Sequence, residues 1–225
     1  MAGVWAILTA AGESTRMGRP KPLLPWCGAT LVERQVSALA DAGAVHVVVV
    51  VGHEADAVIP YVTHPRASYV VNPDFLSGKA TSVRAGLRAV SEGADAILLL
   101  GVDQPRPATV ISRVIEAHLE AAALITSPRF EGHGGHPLIF AASLRAELEA
   151  ISEETEGIRQ VFQAHRHEVN EVPIDDPVVR LDLNTPEDYE RARRLYPHPF
   201  DSAQDRPNLS PRGKGSLPPP PAGED

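Results

Sequence analysis

Short apolar runs alternate along this chain with longer stretches of helical period. Residues 4–8 and 96–100 are uninterrupted apolar runs, and residues 45–51 are valine-rich throughout. Runs of this kind read as strands covered on both faces. Between them, residues 31–42 (closed by Gly43), 55–61, 81–91 and 108–121 carry helical periodicity, and Pro107 suits a helix start. Residues 68–71 and 123–126 read as short strands. After residue 130 the rhythm loosens. A strand is expected at 137–140, helices at 144–151 and 158–165, and strands at 168–172 and 178–183. A last helix is expected at 186–195, with Thr185 as its cap and Glu187 and Asp188 in its first turn.

This alternation implies one Rossmann-like α/β domain over residues 1–196, a mostly parallel central sheet flanked by helices and joined by right-handed crossovers. Residues 197–225 change character: Pro-His-Pro, Arg-Pro, Ser-Pro and Pro218–Pro221 leave no apolar period to bury. They are expected to form a disordered, Pro-rich tail. A partner-binding polyproline segment is the functional alternative, without a convincing P-x-x-P site around it.

Composition narrows the function. A chain of 225 residues buries one sizeable core. Its net charge of −8 argues against a nucleic-acid surface. The single Cys27 excludes an internal disulfide framework and a multi-cysteine metal site, and fits a cytoplasmic location. No apolar run is long enough to span a membrane. No basic region precedes the first apolar run, which therefore reads as a strand and not as a signal peptide.

The chemistry gathers in the loop that follows that strand, residues 8–24. Gly12 and Gly18 let backbone N–H groups approach a polyphosphate, and Arg16 and Lys21 bring positive charge. It is not a Walker A loop: Lys21 comes three residues after Gly18, no Ser or Thr follows it, and Pro20 and Pro22 bar an immediate helix. The Gly12–Gly18 spacing also fails the dinucleotide fingerprint. A plain glycine-bearing βα turn with incidental cations is the competing reading. Gly101-Val102-Asp103-Gln104-Pro105 directly follows the second apolar strand, at the strand end where open α/β sheets bind ligands. A carboxylate there suits Mg²⁺, which prefers oxygen ligands, although Asp103 can instead cap the next helix. In Leu181-Asp182-Leu183-Asn184, strand alternation would put Asp182 and Asn184 on one face; their alternative role is to cap the last helix.

Ala10-Ala11-Gly12-x-Ser14-x-Arg16-Met17-Gly18-x-Pro20-Lys21-x-Leu23-Leu24 resembles the signature of the MobA/MocA-like nucleotidyltransferases, and later motifs match in order over roughly residues 4–195. The resemblance implies a fold of the nucleotide-diphospho-sugar transferase type. It implies a nucleotide site at Ala10, Ala11, Gly12, Ser14, Arg16, Lys21, Gly78, Ser82 and Asp103, with Arg16, Lys21 and Asp103 catalytic. It implies Mg²⁺, or Mn²⁺ in its place, on Asp103 with Asp182 and Asn184. Asn184 stands where the family usually has Asp. Asn72-Pro73-x-Phe75-x-x-Gly78-x-x-x-Ser82-Val83 is similar to the segment that closes over the base, with Lys79 within reach of a phosphate. Gly132-His133-Gly134-Gly135-His136-Pro137 is similar to the family's G-H-P motif, and His136 would face the acceptor with Gln104 and Pro105. His133 reads as a surface histidine. Ala10-Ala11-Gly12 resembles the cytidylyl branch, so CTP is expected in preference to GTP, with molybdopterin as acceptor and a molybdoenzyme as a further partner. The alternatives are a GTP-using enzyme, a sugar- or polyol-phosphate enzyme of the same fold, and a low-turnover cofactor-delivery chaperone.

Overall fold

The computed structural model describes residues 3–196; the expected Pro-rich tail lies outside the described residues. The strands are β1 (Val4–Ala10), β2 (Pro25–Trp26), β3 (Ala29–Thr30), β4 (His46–Val51), β5 (Ala67–Val71), β6 (Ala96–Gly101), β7 (Ile125–Phe130), β8 (His133–Gly134), β9 (Leu138–Ala141) and β10 (Val169–Pro173). The helices are α1 (Leu31–Asp41), α2 (Ala55–Val58), α3 (Lys79–Leu87), α4 (Ala108–Ala121), α5 (Arg145–Glu149), α6 (Ile158–Ala164) and α7 (Pro186–Leu195). One sheet runs β10-β7-β9-β6-β1-β4-β5, with β8 paired to β7 and β2–β3 forming a separate small hairpin. Its β1–β4, β1–β6, β4–β5 and β7–β10 pairs are parallel, whereas β9 runs antiparallel between β6 and β7. The expected mostly parallel α/β domain is the one observed.

Register puts the chemistry at one edge. Ala10 pairs with Val51 and Thr9 with Gly101, so the loops after β1, β4 and β6 leave the sheet side by side at their carboxyl ends. β1 alternates between two cores. Ala6, Leu8 and Ala10 pack on the face covered by Leu39 of α1, Ile111 of α4 and Tyr189 of α7. Ile7 packs on the other face with Leu87 of α3, Leu148 of α5 and Val161 of α6. Burying each such aliphatic side chain contributes roughly 1.5–3 kcal/mol. Gly86 lets α3 come close: a Cβ there would lie 2.5 Å from Ile7 Cγ2. That contact explains a mid-helix glycine, which otherwise costs about 1 kcal/mol relative to alanine.

Helix starts follow local chemistry. Thr30 and Glu33 form a reciprocal capping box on α1, and Thr185 and Asp188 form one on α7. The cap of α7 is therefore Thr185, as expected, and neither Asp182 nor Asn184. The expected strand at 178–183 is absent. Pro177–Arg180 is a 3-10 turn, because Asp176 caps Val178 N–H at 2.8 Å and Pro177 has no N–H to give a ladder. Smaller differences concern boundaries. α3 begins at Lys79 and ends at Leu87, β7 extends to Phe130, and residues 59–61 and 142–144 are 3-10 extensions of α2 and α5. None of the described helices is long and apolar enough to cross a membrane.

Candidate functional site

A cleft of about 360 Å³ opens at the carboxyl edge of β1 and β6, a size that suits a small-molecule ligand. Ala10, Ala11, Gly12, Ser14, Arg16 and Lys21 line one side. Gly78, Lys79 and Ser82 form a second wall, and Asp103, Gln104, His136 and Asn184 a third. Most residues expected in the site thus meet, across separations of up to 168 positions. Two do not line the cleft. Pro105 is buried on the opposite side of its turn and lines a second cavity with Trp26 and Tyr196. Asp182 is exposed, and its Oδ1 accepts from Gln104 Nε2 at 3.0 Å.

The loop after β1 turns on two left-handed residues, Ser14 (φ 55°) and Gly18 (φ 66°). The serine also braces the loop, since Lys21 N–H donates to its Oγ at 3.0 Å. Lys21 is thereby aimed across the cleft. Its Nζ lies 2.9 Å from Asp103 Oδ2 and 3.4 Å from Asn184 Oδ1, and Arg16 Nη2 lies 3.5 Å from the same Asn184 oxygen. Two oxygens from separate segments therefore converge on one cation. That donor chemistry also fits a hard divalent ion, with phosphate oxygens completing its shell. Among the described residues no group of three or more His, Cys, Asp or Glu could hold a metal; Asp103 and Asn184 bring two side-chain oxygens to the cleft.

The turn after β6 is held from several directions. Gln35 sits at a core position of α1 and donates to the carbonyls of Gly101 at 3.2 Å and Gln104 at 2.8 Å. Leu183 N–H donates to Asp103 O at 2.8 Å, which brings the Asn184 segment alongside the turn. Arg106 is 3% exposed. Its guanidinium donates to the carbonyls of Pro105 at 3.0 Å, His136 at 3.0 Å, Val179 at 2.9 Å and Leu181 at 2.7 Å. Burial pushes Arg106 down to about 10, against the pull of Asp182 and Asp103; it stays charged at neutral pH. Gln104 Oε1 accepts from Gly101 N–H at 3.0 Å, which turns Nε2 toward His136 Nδ1 at 3.0 Å. His136 must then accept at Nδ1 and carry its proton on Nε2. Burial, followed by the charge of Arg106, lowers His136 to about 4 and keeps it neutral.

The α3 wall has a remote cap. Gly78 adopts φ 105°, and a Cβ there would lie 2.3 Å from Glu153. Glu153 Oε1 accepts from Ala80 N–H at 2.7 Å across 73 positions. Gln35, Arg106 and Glu153 escaped the sequence reading. Gln35 left a signal, a polar residue at i+4 spacing between Leu31 and Leu39. Arg106 left a weaker one, a lone cation between two prolines.

A family model for the MobA-like NTP transferase domain matches residues 6–169. The chain belongs to that family. This nucleotidyltransferase is 29% identical to the molybdenum cofactor cytidylyltransferase of Escherichia coli K12, over 87% of this chain and 98% of the relative. It is 33% identical to the nicotine blue oxidoreductase of Paenarthrobacter nicotinovorans, over 82% of this chain and 93% of the relative. The crystal structure of Rv0371c from Mycobacterium tuberculosis H37Rv superposes with a TM-score of 0.74 at 28% identity, covering 85% of this chain and 97% of that one. A manganese complex of the same protein superposes at 0.70, again at 28% identity, over 84% and 96% of the two chains. The family match of this transferase holds the β1 loop, Asp103 and His136 and ends before Asn184.

Proposed function

We propose that this nucleotidyltransferase moves CMP from CTP to a phosphate-bearing acceptor, with molybdopterin the favoured acceptor, and releases pyrophosphate. The observation that carries the reading is the meeting of Lys21 and Arg16 with Asp103 and Asn184 under the Ala10–Gly12 loop. A phosphomonoester is largely ionised at pH 7, its second pKa being about 6, so attack on the α-phosphorus needs no strong general base. Lys21 leaves Asp103 for the triphosphate, and with Arg16 it neutralises the charge that grows on the departing pyrophosphate. Loop N–H groups around Gly12 and Ser14 hold the phosphate oxygens, and Ser82 meets the base. Asp103 and Asn184 would hold Mg²⁺ or Mn²⁺, which would supply charge neutralisation and orientation of the phosphates. Asp182 holds the Gln104 amide that faces His136. Neutral His136, with its proton on Nε2, offers a donor to the acceptor phosphate. The CTP preference rests on Ala11: it is 3% exposed, and its methyl group sits beside Gly52 in the floor of the cleft. A cytoplasmic location and delivery of the product to a molybdoenzyme accompany this reading.

The test is pyrophosphate release with each NTP, Mg²⁺ or Mn²⁺, and molybdopterin, sugar phosphates or polyol phosphates. Turnover with CTP and molybdopterin is expected. Turnover with GTP alone would overturn the nucleotide choice, and turnover with another phosphate would replace the acceptor. Nucleotide binding with no pyrophosphate from any acceptor, together with activation of a partner enzyme, would point to a delivery chaperone.

A further inference from the structure

Ser82 brings a single hydroxyl to the cleft, and its neighbours decide what that hydroxyl can offer. Asn72 follows β5, is 2% exposed, and donates its backbone N–H to Val51 O at 2.8 Å. Its side-chain amide has one workable orientation. Oδ1 accepts from Asp74 N–H at 3.0 Å, so Nδ2 faces α3 and donates to Thr81 Oγ1 at 2.9 Å and Ser82 Oγ at 3.0 Å. An amide nitrogen cannot accept, so both hydroxyls must receive from it. Thr81 gives its own proton to Gly78 O at 2.8 Å. Ser82 is 5% exposed and lines the cleft. With one lone pair taken by Asn72, its proton is left to donate into the cleft.

We propose that Asn72 is a specificity-determining positioning residue: by donating to Ser82 Oγ it makes Ser82 a hydrogen-bond donor, and the cleft selects a base that turns a ring carbonyl toward α3. The inference rests on the nucleotide-binding reading above. Its content is a direction. Asn72→Asp is nearly isosteric and preserves the acceptor for Asp74 N–H, but it replaces the donor facing Ser82 with an acceptor. The Ser82 proton then turns to residue 72, and lone pairs face the base.

The experiment measures dissociation constants by calorimetry on the full chain with Mg²⁺, comparing CTP with 2-thio-CTP, whose ring thiocarbonyl is a poor acceptor. The wild type should bind the thio analogue roughly five- to tenfold more weakly, the range of one neutral hydrogen bond. Asn72→Asp and Ser82→Ala should both weaken CTP by a similar factor and bind the two nucleotides within about twofold of each other. A merely loosened cleft would weaken both nucleotides equally and leave their ratio as in the wild type. An unchanged ratio in Asn72→Asp overturns the proposal, as does an unchanged ratio in Ser82→Ala, which keeps the bonds of Asn72 to Thr81 and Asp74 and serves if Asn72→Asp fails to fold. A wild type that does not distinguish oxygen from sulfur also overturns it. Binding of GTP and not CTP refutes the nucleotide choice alone, and GTP against 6-thio-GTP then decides the role of Asn72 by the same criteria.

Discussion

Two loops leave neighbouring parallel strands at the same edge of the sheet, yet they are built in opposite ways. The loop after β1 carries its cations on partly exposed side chains: Lys21 and Asp103 meet with side-chain exposures of 13% and 24%. The turn after β6 is fixed by a buried glutamine, a buried arginine and the backbone of a remote segment. The difference suits the chemistry. On the proposed function, a carboxylate that would orient a metal has to stay in place, because a displacement of about 1 Å can cost roughly 10² in rate. On the same reading, a lysine that would follow phosphate charge has to exchange partners, and a single ion pair that keeps some contact with solvent lets it do so.

The largest way to break this contrast is Arg106→Met. Four backbone carbonyls lose a charged donor, and even two of them left unpaired cost about 3 kcal/mol or more. The melting temperature is expected to fall by roughly 6–12 °C, read by differential scanning calorimetry. Lys21→Ala should do the reverse: activity falls about 10²–10³-fold, while the melting temperature moves by no more than a few degrees. If Lys21→Ala unfolds the protein and Arg106→Met leaves it stable, the contrast drawn between the two loops is wrong.

Asn184→Asp sharpens the comparison on the metal side. Adding a negative charge beside Asp103 should tighten Mn²⁺ roughly tenfold, since affinity for such ions follows ligand charge count; titration followed by the relaxation of solvent water protons by Mn²⁺ would measure it. No change would mean that the Asn184 oxygen does not reach the ion.

The smallest effects come from two histidines shifted in opposite directions. His136, lowered to about 4, binds fewer protons folded than unfolded. Its contribution to stability is complete above its unfolded value of 6.5 and is lost as pH falls from there toward 4. His165 is raised above 6.5 by hydrogen bonds to Glu147 at 3.0 Å and Glu168 at 3.3 Å. Its contribution is complete below 6.5 and is lost as pH rises through the folded value. Urea midpoints for His136→Gln and His165→Gln, subtracted from the wild type across pH 4–9, should show a difference that grows with pH for the first and shrinks with pH for the second.

How much was legible beforehand follows from where the information lies. The strands β1, β4 and β6 announced themselves because both faces are buried and all but Thr9, His46 and Gly101 are apolar. The β1 loop and Gly101–Asp103 stood out because the order of residues alone put chemistry at strand ends. The segment 178–184 misled: its alternating apolar residues suggested a strand, yet a proline and an Asp cap turned it into a 3-10 turn followed by an unpaired extended piece. Its Asn184 still reached the cleft, carried by the Leu183–Asp103 backbone bond and not by sheet pairing, while Asp182 turned to Gln104.

The sequence by itself determined the layered α/β fold, the glycines and cations of the loop after β1 and the identity of the carboxylate after β6, since these depend on local periodicity and short spacing. Tertiary structure alone decided that Lys21 and Arg16 meet Asn184, that Asp182 turns to Gln104, that Glu153 caps α3, and that Asn72 donates to Ser82. Each of these depends on which atom of a side chain faces which partner from a distant part of the chain. Hydrogen-bond direction of that kind is set by packing and burial, and no pattern of residue types along one segment carries it.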